Sequence, residues 1–335
     1  MKHDSPPAPD RRRTLAAALA WGCLGAPRAL RAQPSGAYPD RPITIVAPMA
    51  AGGSTDVVAR LFAKSLTEAL RQPALVENKP GATGSIGTMH VARSAPDGHT
   101  LLLAPGSVAV VNPLVNKVAY DFARDFRPIG LLAMVETVLV ASRRSGLKSV
   151  ADVVARAKAE PGKLSFGSNG EGGSFHLAGE LFALTAGIEL LHVPYKGAAP
   201  AETALVTGEI DLLVTNTVSV MQHLKAGSIV PLAVISSGRS RELPAVPKGT
   251  DLLPGFTVDT WVGLYAPAAT ATATVNRLNE TLNAFLRHKE TADDMLSRGL
   301  EPAPGSIDDA LRFQQAETAR WSRVVDTLRA RKRLG

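Results

Sequence analysis

The sequence predicts an α/β protein of two similar lobes. Short aliphatic or β-branched runs alternate with loops and amphipathic helices along most of the chain. A strand, a glycine-rich loop and a helix follow one another near residue 50 and again near residue 170. The 335 residues are too many for one small core and suit two of ordinary size.

Ile43 to Ala47, flanked by Pro42 and Pro48, reads as a buried strand. The loop Ala51 to Asp56 follows, then a helix with Val57, Val58, Leu61, Phe62, Leu66 and Leu70 on one face. Ala74 to Glu77 is a second strand, Asn78 to Gly87 a loop leading into a second helix, and His99 to Ala104 a third strand. This alternation predicts a parallel sheet covered on both faces. Further on, Thr137 to Ala141 reads as strand, Val150 to Ala159 as helix and Leu164 to Phe166 as strand. The loop Gly167 to Ser174 then leads into a helix through Leu177, Leu181 and Leu184. Glu189 to Val193, Ile210 to Val214 and Ile229 to Ile235 add strands. Towards the C-terminus Val275, Leu278, Leu282 and Phe285 share a helical face. Ser306 caps a last helix, with Asp308 and Asp309 in its first turn and Ile307, Leu311, Val324, Val325 and Leu328 as its apolar stripe.

The net charge of +7 is unevenly placed. Residues 1–32 hold six Lys/Arg against two Asp; the remainder carries 31 against 28 and a net of +3. With no basic stripe interleaved with aromatics, this is no nucleic-acid footprint. Arg11-Arg12-Arg13 precede an uncharged stretch from Leu15 to Leu24, a basic region and an apolar region too short to span a bilayer. Residues 1–32 are therefore expected to be an export signal, Tat-like at Arg12-Arg13, cleaved after Ala32, with Sec export also compatible. The single cysteine, Cys23, lies in this leader behind a poor lipobox, Ala20-Trp21-Gly22. A processed chain would have no thiol or disulfide, which suits the periplasm.

The two glycine loops carry the binding chemistry. Glycine lets backbone approach a ligand closely, and the helix behind each loop leaves its first N–H groups unpaired with partial positive charge. Each is a candidate anion site. The first runs from Ala51 to Asp56, with Gly52, Gly53 and Ser54; the second from Gly167 to Ser174, with Gly167, Gly170, Gly172 and Gly173 and hydroxyls at Ser168 and Ser174. Facing one another they could clamp a carboxylate without an arginine; alternatively both are ordinary turns. The Gly81, Gly84 and Gly87 loop could bind a ligand or serve close helix packing. No nucleophile elbow, P-loop, dinucleotide fingerprint or metal-ligating histidine pair occurs, so no catalytic residue, metal or cofactor is assigned. Asp56 and Glu171 read as favourable charges near helix starts, and His176 and His223 as structural or surface residues.

Several blocks are more specific: Tyr38-Pro39-Asp40-Arg41-Pro42-Ile43, Ala47-Pro48-Met49-Ala50-Ala51-Gly52-Gly53-Ser54-Thr55-Asp56, Val76-Glu77-Asn78-Lys79-Pro80-Gly81, and Ala95-Pro96-Asp97-Gly98-His99-Thr100-Leu101. Gly167-Ser168-Asn169-Gly170, His176 to Phe182, His192-Val193-Pro194-Tyr195-Lys196-Gly197 and Trp261 to Pro267 continue the series. Over residues 38–330 the chain resembles the Bug receptors, the TctC-like extracytoplasmic solute-binding components of tripartite tricarboxylate transporters. It departs after Pro267, where Ala-Ala-Thr-Ala-Thr replaces the family's usual Gly and second Pro.

The resemblance implies a two-lobe periplasmic binding protein, type II-like, a Venus flytrap with two chain crossovers near Glu136 and Trp261. Lobe one would be 36–136 plus 263–335, and lobe two 137–262. The two glycine loops would grip a ligand carboxylate, with Ser107, Tyr195, Thr215 and Asn216 lining the rest of the cleft. The implied partners are a small carboxylate, a tripartite-type membrane permease and, as an alternative, the periplasmic domain of a sensor kinase. An exported enzyme using the same cleft, or a ligand sensor, remains an alternative function. Glu171 within the second loop would repel an acidic ligand if it faced the cleft, and is expected to point to solvent.

Overall fold

The computed structural model describes residue 1, residues 38–238, 240 and 242–334. The expected export signal, Cys23 and the cleavage point at Ala32 lie outside the described residues, apart from residue 1.

The first third of the fold comprises β1 (Ile43–Ala47), α1 (Ser54–Leu70), β2 (Ala74–Asn78), α2 (Ser85–Ala92) and β3 (Thr100–Pro105). A π-helical turn, Ser107–Val111, then runs into α3 (Asn112–Val115), followed by α4 (Phe122–Asp125) and β4 (Phe126–Val135). The chain next builds β5 (Thr137–Ser142), α5 (Val150–Ala159), β6 (Ser165–Ser168), α6 (Ser174–Ala186) and β7 (Leu191–Pro194). Then come α7 (Ala198–Thr207), β8 (Leu212–Asn216), α8 (Thr217–Lys225), β9 (Ile229–Val234) and α9 (Gly249–Leu252). It closes with β10 (Thr260–Pro267), α10 (Thr272–Arg287), α11 (Lys289–Ser297), β11 (Leu300–Pro302) and α12 (Ile307–Ala330).

These strands form two sheets, ordered β11-β4-β10-β3-β1-β2 and β7-β6-β8-β5-β9. If the β11 edge is set aside, the two orders follow one pattern: β2-β1-β3-β10-β4 matches β7-β6-β8-β5-β9 position by position. The repeated strand, glycine loop and helix of the sequence is thus a repeat of the whole layer. The sheets are mixed rather than all parallel. β1 is parallel to β2 and β3, and β6 to β7 and β8, but β10 runs antiparallel to β3 and β4, and β5 antiparallel to β8 and β9. The reason is connectivity. β5 arrives directly from the first sheet after Glu136, and β10 returns from the second, so neither is fed by a helix crossover that would set it parallel. The chain therefore passes between sheets at Glu136 and again between β9 and β10.

Helix faces follow the sequence pattern. Val58, Phe62 and Leu66 of α1, and Val275, Leu278, Leu282 and Phe285 of α10, are buried. Ser306 caps α12 in a reciprocal box with Asp309. Leu311 is the exception: it is 39% exposed, because the buried stripe of α12 runs through Ala310, Gln314, Glu317, Trp321, Val324, Val325 and Leu328. A Cβ on Gly87 would lie 2.8 Å from the Lys79 carbonyl oxygen and 3.0 Å from Pro48, so this glycine serves close packing of α2.

Pro39–Gly335 forms a single compact unit, held by an apolar core that is continuous between the sheets. Val46, Leu102 and Ala104 belong to the same buried cluster as Phe166, Leu212 and Val214, with Trp261, Trp321 and Val325. α12 packs on β4 and also on α6. Beyond its end, Arg333 makes a two-point contact with the buried carboxylate of Glu180 in α6 (2.6 and 3.1 Å).

Candidate functional site

The loop before α1 and the loop before α6 are built alike. Each follows the C-terminal end of a parallel strand, β1 or β6, and each ends in a glycine N-cap in extended backbone: Gly53 at φ −78°, ψ 171° and Gly173 at φ −76°, ψ 165°. Neither helix start is capped by a side chain. The helical ladders begin with Val57 N–H to the Gly53 carbonyl (3.0 Å) and Leu177 N–H to the Gly173 carbonyl (3.0 Å). The preceding N–H groups are left outside the ladder, with the positive end of the helix dipole behind them.

The two loops are also held from behind in the same way. Asp56, at the third position of α1, accepts from Gly52 N–H at 3.0 Å. His176, at the third position of α6, accepts from Gly172 N–H at its Nδ1, also at 3.0 Å. Asp56 is 4% exposed and also accepts from Arg60 Nε (3.0 Å) and Asn78 Nδ2 (2.9 Å). Burial works to raise its pKa, but the hydrogen bonds from Arg60, Gly52 and Asn78 outweigh it and hold the carboxyl below its ordinary range. Its oxygens are therefore engaged within the loop, which leaves Ala51, Gly52, Gly53 and Ser54 as the outward-facing part.

In the second loop Ser168 is fully buried. Its hydroxyl lies 2.7 Å from His192 Nε2, accepts from Gly170 N–H (3.2 Å) and approaches the Gly170 carbonyl (3.0 Å). The Asn169 Oδ1 atom is buried without a hydrogen-bond partner. Gly172 has φ +68°, and a Cβ there would meet Val115 Cγ1 at 2.8 Å, so the loop is packed against α3 and requires glycine. Glu171 is exposed. Ser174 and Ser107 line one small cavity of about 30 Å³ with Gly106, Asp259, Thr260 and Trp261. Two residues assigned to different lobes thus meet beside the returning crossover.

Of the other expected residues, Tyr195 borders the second loop, its N–H donating to the Ser168 carbonyl at 3.0 Å. Thr215 is buried and donates its hydroxyl to Glu202 of α7 (3.2 Å). Tyr195 donates to Glu209 (3.0 Å); burial and that carboxylate push its hydroxyl pKa up to about 12. Asn216 is the N-cap of α8, with its Oδ1 buried and unbonded. Beside it a larger cavity of about 640 Å³ is lined by Glu136, Thr217, Glu242, Asp293 and Glu301 among others. Among the described residues, four carboxylates against the single lysine, Lys225, disfavour an anion there.

Sequence reasoning missed the groups that hold the loops: Arg60, Asn78, His176 and His192. The signal lay in spacing, since Gly52–Asp56 and Gly172–His176 are the same four-residue step at the same place before a helix. His176 and His192 stack with ring centroids 3.8 Å apart, and Phe166 covers His192 at 4.9 Å. Burial is the main cause of the lowered pKa of both imidazoles, and it takes His192 to about 4. Among the described residues no group of His, Cys, Asp or Glu could hold a metal ion, and no helix is long and apolar enough to cross a membrane.

Comparison with known proteins bears on this arrangement. The model of the tripartite tricarboxylate transporter family receptor, TctC, matches residues 58–329. The chain is 37% identical over 291 residues to Protein BugT of Bordetella pertussis (strain Tohama I), covering 86% of this chain and 89% of that protein. Among solved structures it is similar to Rpa4515 of R. palustris with adipate: TM-score 0.79, 35% identity, 87% of this chain and 98% of that one. It is likewise similar to MatC of Rhodopseudomonas palustris with bound malate: TM-score 0.74, 30% identity, 86% of this chain and 100% of that one. With a matching family model over most of its length and the two-sheet flytrap fold of these neighbours, the chain belongs to the TctC family of tripartite tricarboxylate transporter receptors, solute-binding proteins.

Proposed function

We propose that this receptor captures a small carboxylate in the periplasm, between the loop before α1 and the loop before α6, and presents it to a tripartite-type membrane permease without changing it chemically. The observation that carries the reading is the matched pair of helix starts, each with a glycine N-cap in the same backbone conformation and no side-chain cap. Unpaired N–H groups at a helix start favour an anion. The adipate and malate bound by the two similar structures support the same ligand class.

In this reading residues 36–136 plus 263–335 move as one lobe and residues 137–262 as the other. Ligand binds the first loop and closure brings the second against it. Ligand favours closure only by what it gains from the second lobe. Ser107 and Ser174 flank the closing seam, and Asn169 supplies a carbonyl acceptor for a protonated or hydroxylated part of the ligand. Residues 1–32 direct export and are removed after Ala32.

The test uses protein recovered from periplasmic extract, with its N-terminus read by mass spectrometry. Mono-, di- and tricarboxylates, amino acids and neutral amides are screened by thermal shift. A ligand at a hundred times its Kd stabilises by about 2.7 kcal/mol, which raises Tm by roughly 4–5 °C for a chain of about 300 residues. Selective stabilisation by one class of carboxylate, recovered unchanged, is expected. If no carboxylate shifts Tm and the denatured protein releases none, the reading fails.

A further inference from the structure

The least expected feature is a buried column behind the second glycine loop. Ser168 Oγ touches His192 Nε2 (2.7 Å), His192 stacks on His176 (3.8 Å between centroids), and His176 Nδ1 accepts from Gly172 N–H (3.0 Å). His176 is 3% exposed. An imidazole nitrogen that accepts an N–H carries its lone pair there, so the single proton of the neutral ring lies on Nε2. That nitrogen faces Glu180 Oε1 at 3.9 Å. In the first lobe the same position of the helix is filled by Asp56, which does the same work for Gly52 as a carboxylate.

We propose that His176 is a positioning residue for the ligand loop, the counterpart of Asp56, and that it holds Gly172 only while its ring is neutral, so that acid loosens the second lobe's grip and leaves the first lobe's intact. The inference rests on the receptor reading for its effect on affinity, though not for the clamp itself. The proton that makes imidazolium has one place to go, Nδ1, since Nε2 is already protonated. There it meets Gly172 N–H head on, and an accepted hydrogen bond becomes two opposed donors. Asp56 has no such transition above the carboxylate range.

The charged groups around the ring act in both directions. Glu180 on the same helix and Glu171 in the loop favour the imidazolium. Arg333, from beyond α12, opposes it, and it already engages both oxygens of Glu180. His192, on β7, feels the His176 charge and Arg333 as opposing charges too, and Glu189 lies near Arg333. Burial adds to the opposing side. The clamp is therefore set to persist through neutral pH and to fail in acid.

Two variants separate the acceptor from the ring. In His176→Asn the Oδ1 atom takes the place of Nδ1 and does not titrate; in His176→Leu no acceptor remains. Amide exchange of the 167–175 segment, measured without ligand at pH 7.5, should be roughly 2- to 10-fold faster at Gly172 in His176→Leu, the worth of one hydrogen bond. It should stay within about 2-fold of the parent in His176→Asn. Kd for adipate and for malate is then measured from pH 7.5 to pH 4 for parent and His176→Asn. Their ratio cancels the titration of the acids themselves. It should be near one at pH 7.5 and move roughly 2- to 10-fold against the parent in acid. Unchanged Gly172 exchange in His176→Leu overturns the clamp. Parallel loss of affinity in parent and His176→Asn down to pH 4 overturns the acid release. If neither acid binds any variant at pH 7.5, the carboxylate reading is what fails, and the exchange data still decide the clamp.

Discussion

Replacing Asp56 by alanine should cost about 2–3 kcal/mol of stability, and the structure says where that comes from. The carboxylate is nearly fully buried and receives three donors: Gly52 N–H, Asn78 Nδ2 and Arg60 Nε. Arg60 is 57% exposed, so its pair contributes at most about 1 kcal/mol. The backbone and amide bonds to a charged acceptor are worth about 1–1.5 kcal/mol each. Asn78 keeps its second contact, to the Met49 carbonyl (3.3 Å), which limits the loss. At roughly 1.5–2 °C per kcal/mol for a chain of about 300 residues, calorimetry should show Tm lower by about 3–6 °C. Asp56→Asn should fall between, because its amide group presents donors to Arg60 or Asn78. The pH dependence has a definite sign. The folded carboxyl is lowered from 3.8, so its contribution is fully present above that value and is lost as pH falls through the folded value. The gap between parent and Asp56→Ala should therefore be constant from pH 5 to 8, about the neutral range, and close in acid. A Tm within 2 °C of the parent, or roughly so, for Asp56→Ala would refute the claim that this side chain holds the loop.

Gly179→Ala should destabilise although alanine is the better helix former, because the added Cβ would lie 2.2 Å from the Phe166 ring; overpacking costs about 1–3 kcal/mol, and an unchanged or raised urea midpoint would contradict this. His192, lowered from 6.5 to about 4 in the fold, should contribute stability that is present above 6.5 and lost as pH falls towards 4; the urea midpoint should decline across that window and decline less in His192→Gln. Glu171→Gln should leave the adipate Kd within about 2-fold, since an exposed carboxylate acts through water; tenfold tighter binding, or about that, would mean that it faces the ligand.

Much of the layer pattern was legible because burial on both faces writes continuous aliphatic runs. Ile43 to Ala47 and Val150 to Ala159 coincide with the structural elements, and Ser306 caps its helix as read. β4 was not legible: Pro128 and Gly130 interrupt it, and its pairing with β10 joins residues more than a hundred apart in sequence. β10 showed only as a family block from Trp261 to Pro267. The strand at Thr137 was legible, but the antiparallel direction of β5 and β10 was not, since direction is set by which sheet the chain arrives from. At the site, both loops could be read from their glycines, but the division of labour within them could not. Ser168 looks like a ligand hydroxyl in sequence; in the fold it is buried and engaged with His192 and Gly170. Leu311 fails as a core residue because the face of α12 turns towards Ala310 and Gln314, a shift of one position that periodicity does not fix.

α12 touches more than one layer: Arg329 donates to the Leu114 carbonyl (2.9 Å), Arg320 to the Thr257 carbonyl, and Arg333 to Glu180 and the Leu190 carbonyl (3.1 Å). Two crossing strands alone form a line about which a body can both swing and twist. A third attachment, set off that line by a helix of 24 residues, removes the twist and leaves the swing. In the proposed flytrap cycle the cleft would then open like a book with a glued spine, along one arc, and return the two glycine loops to the same alignment at every closure.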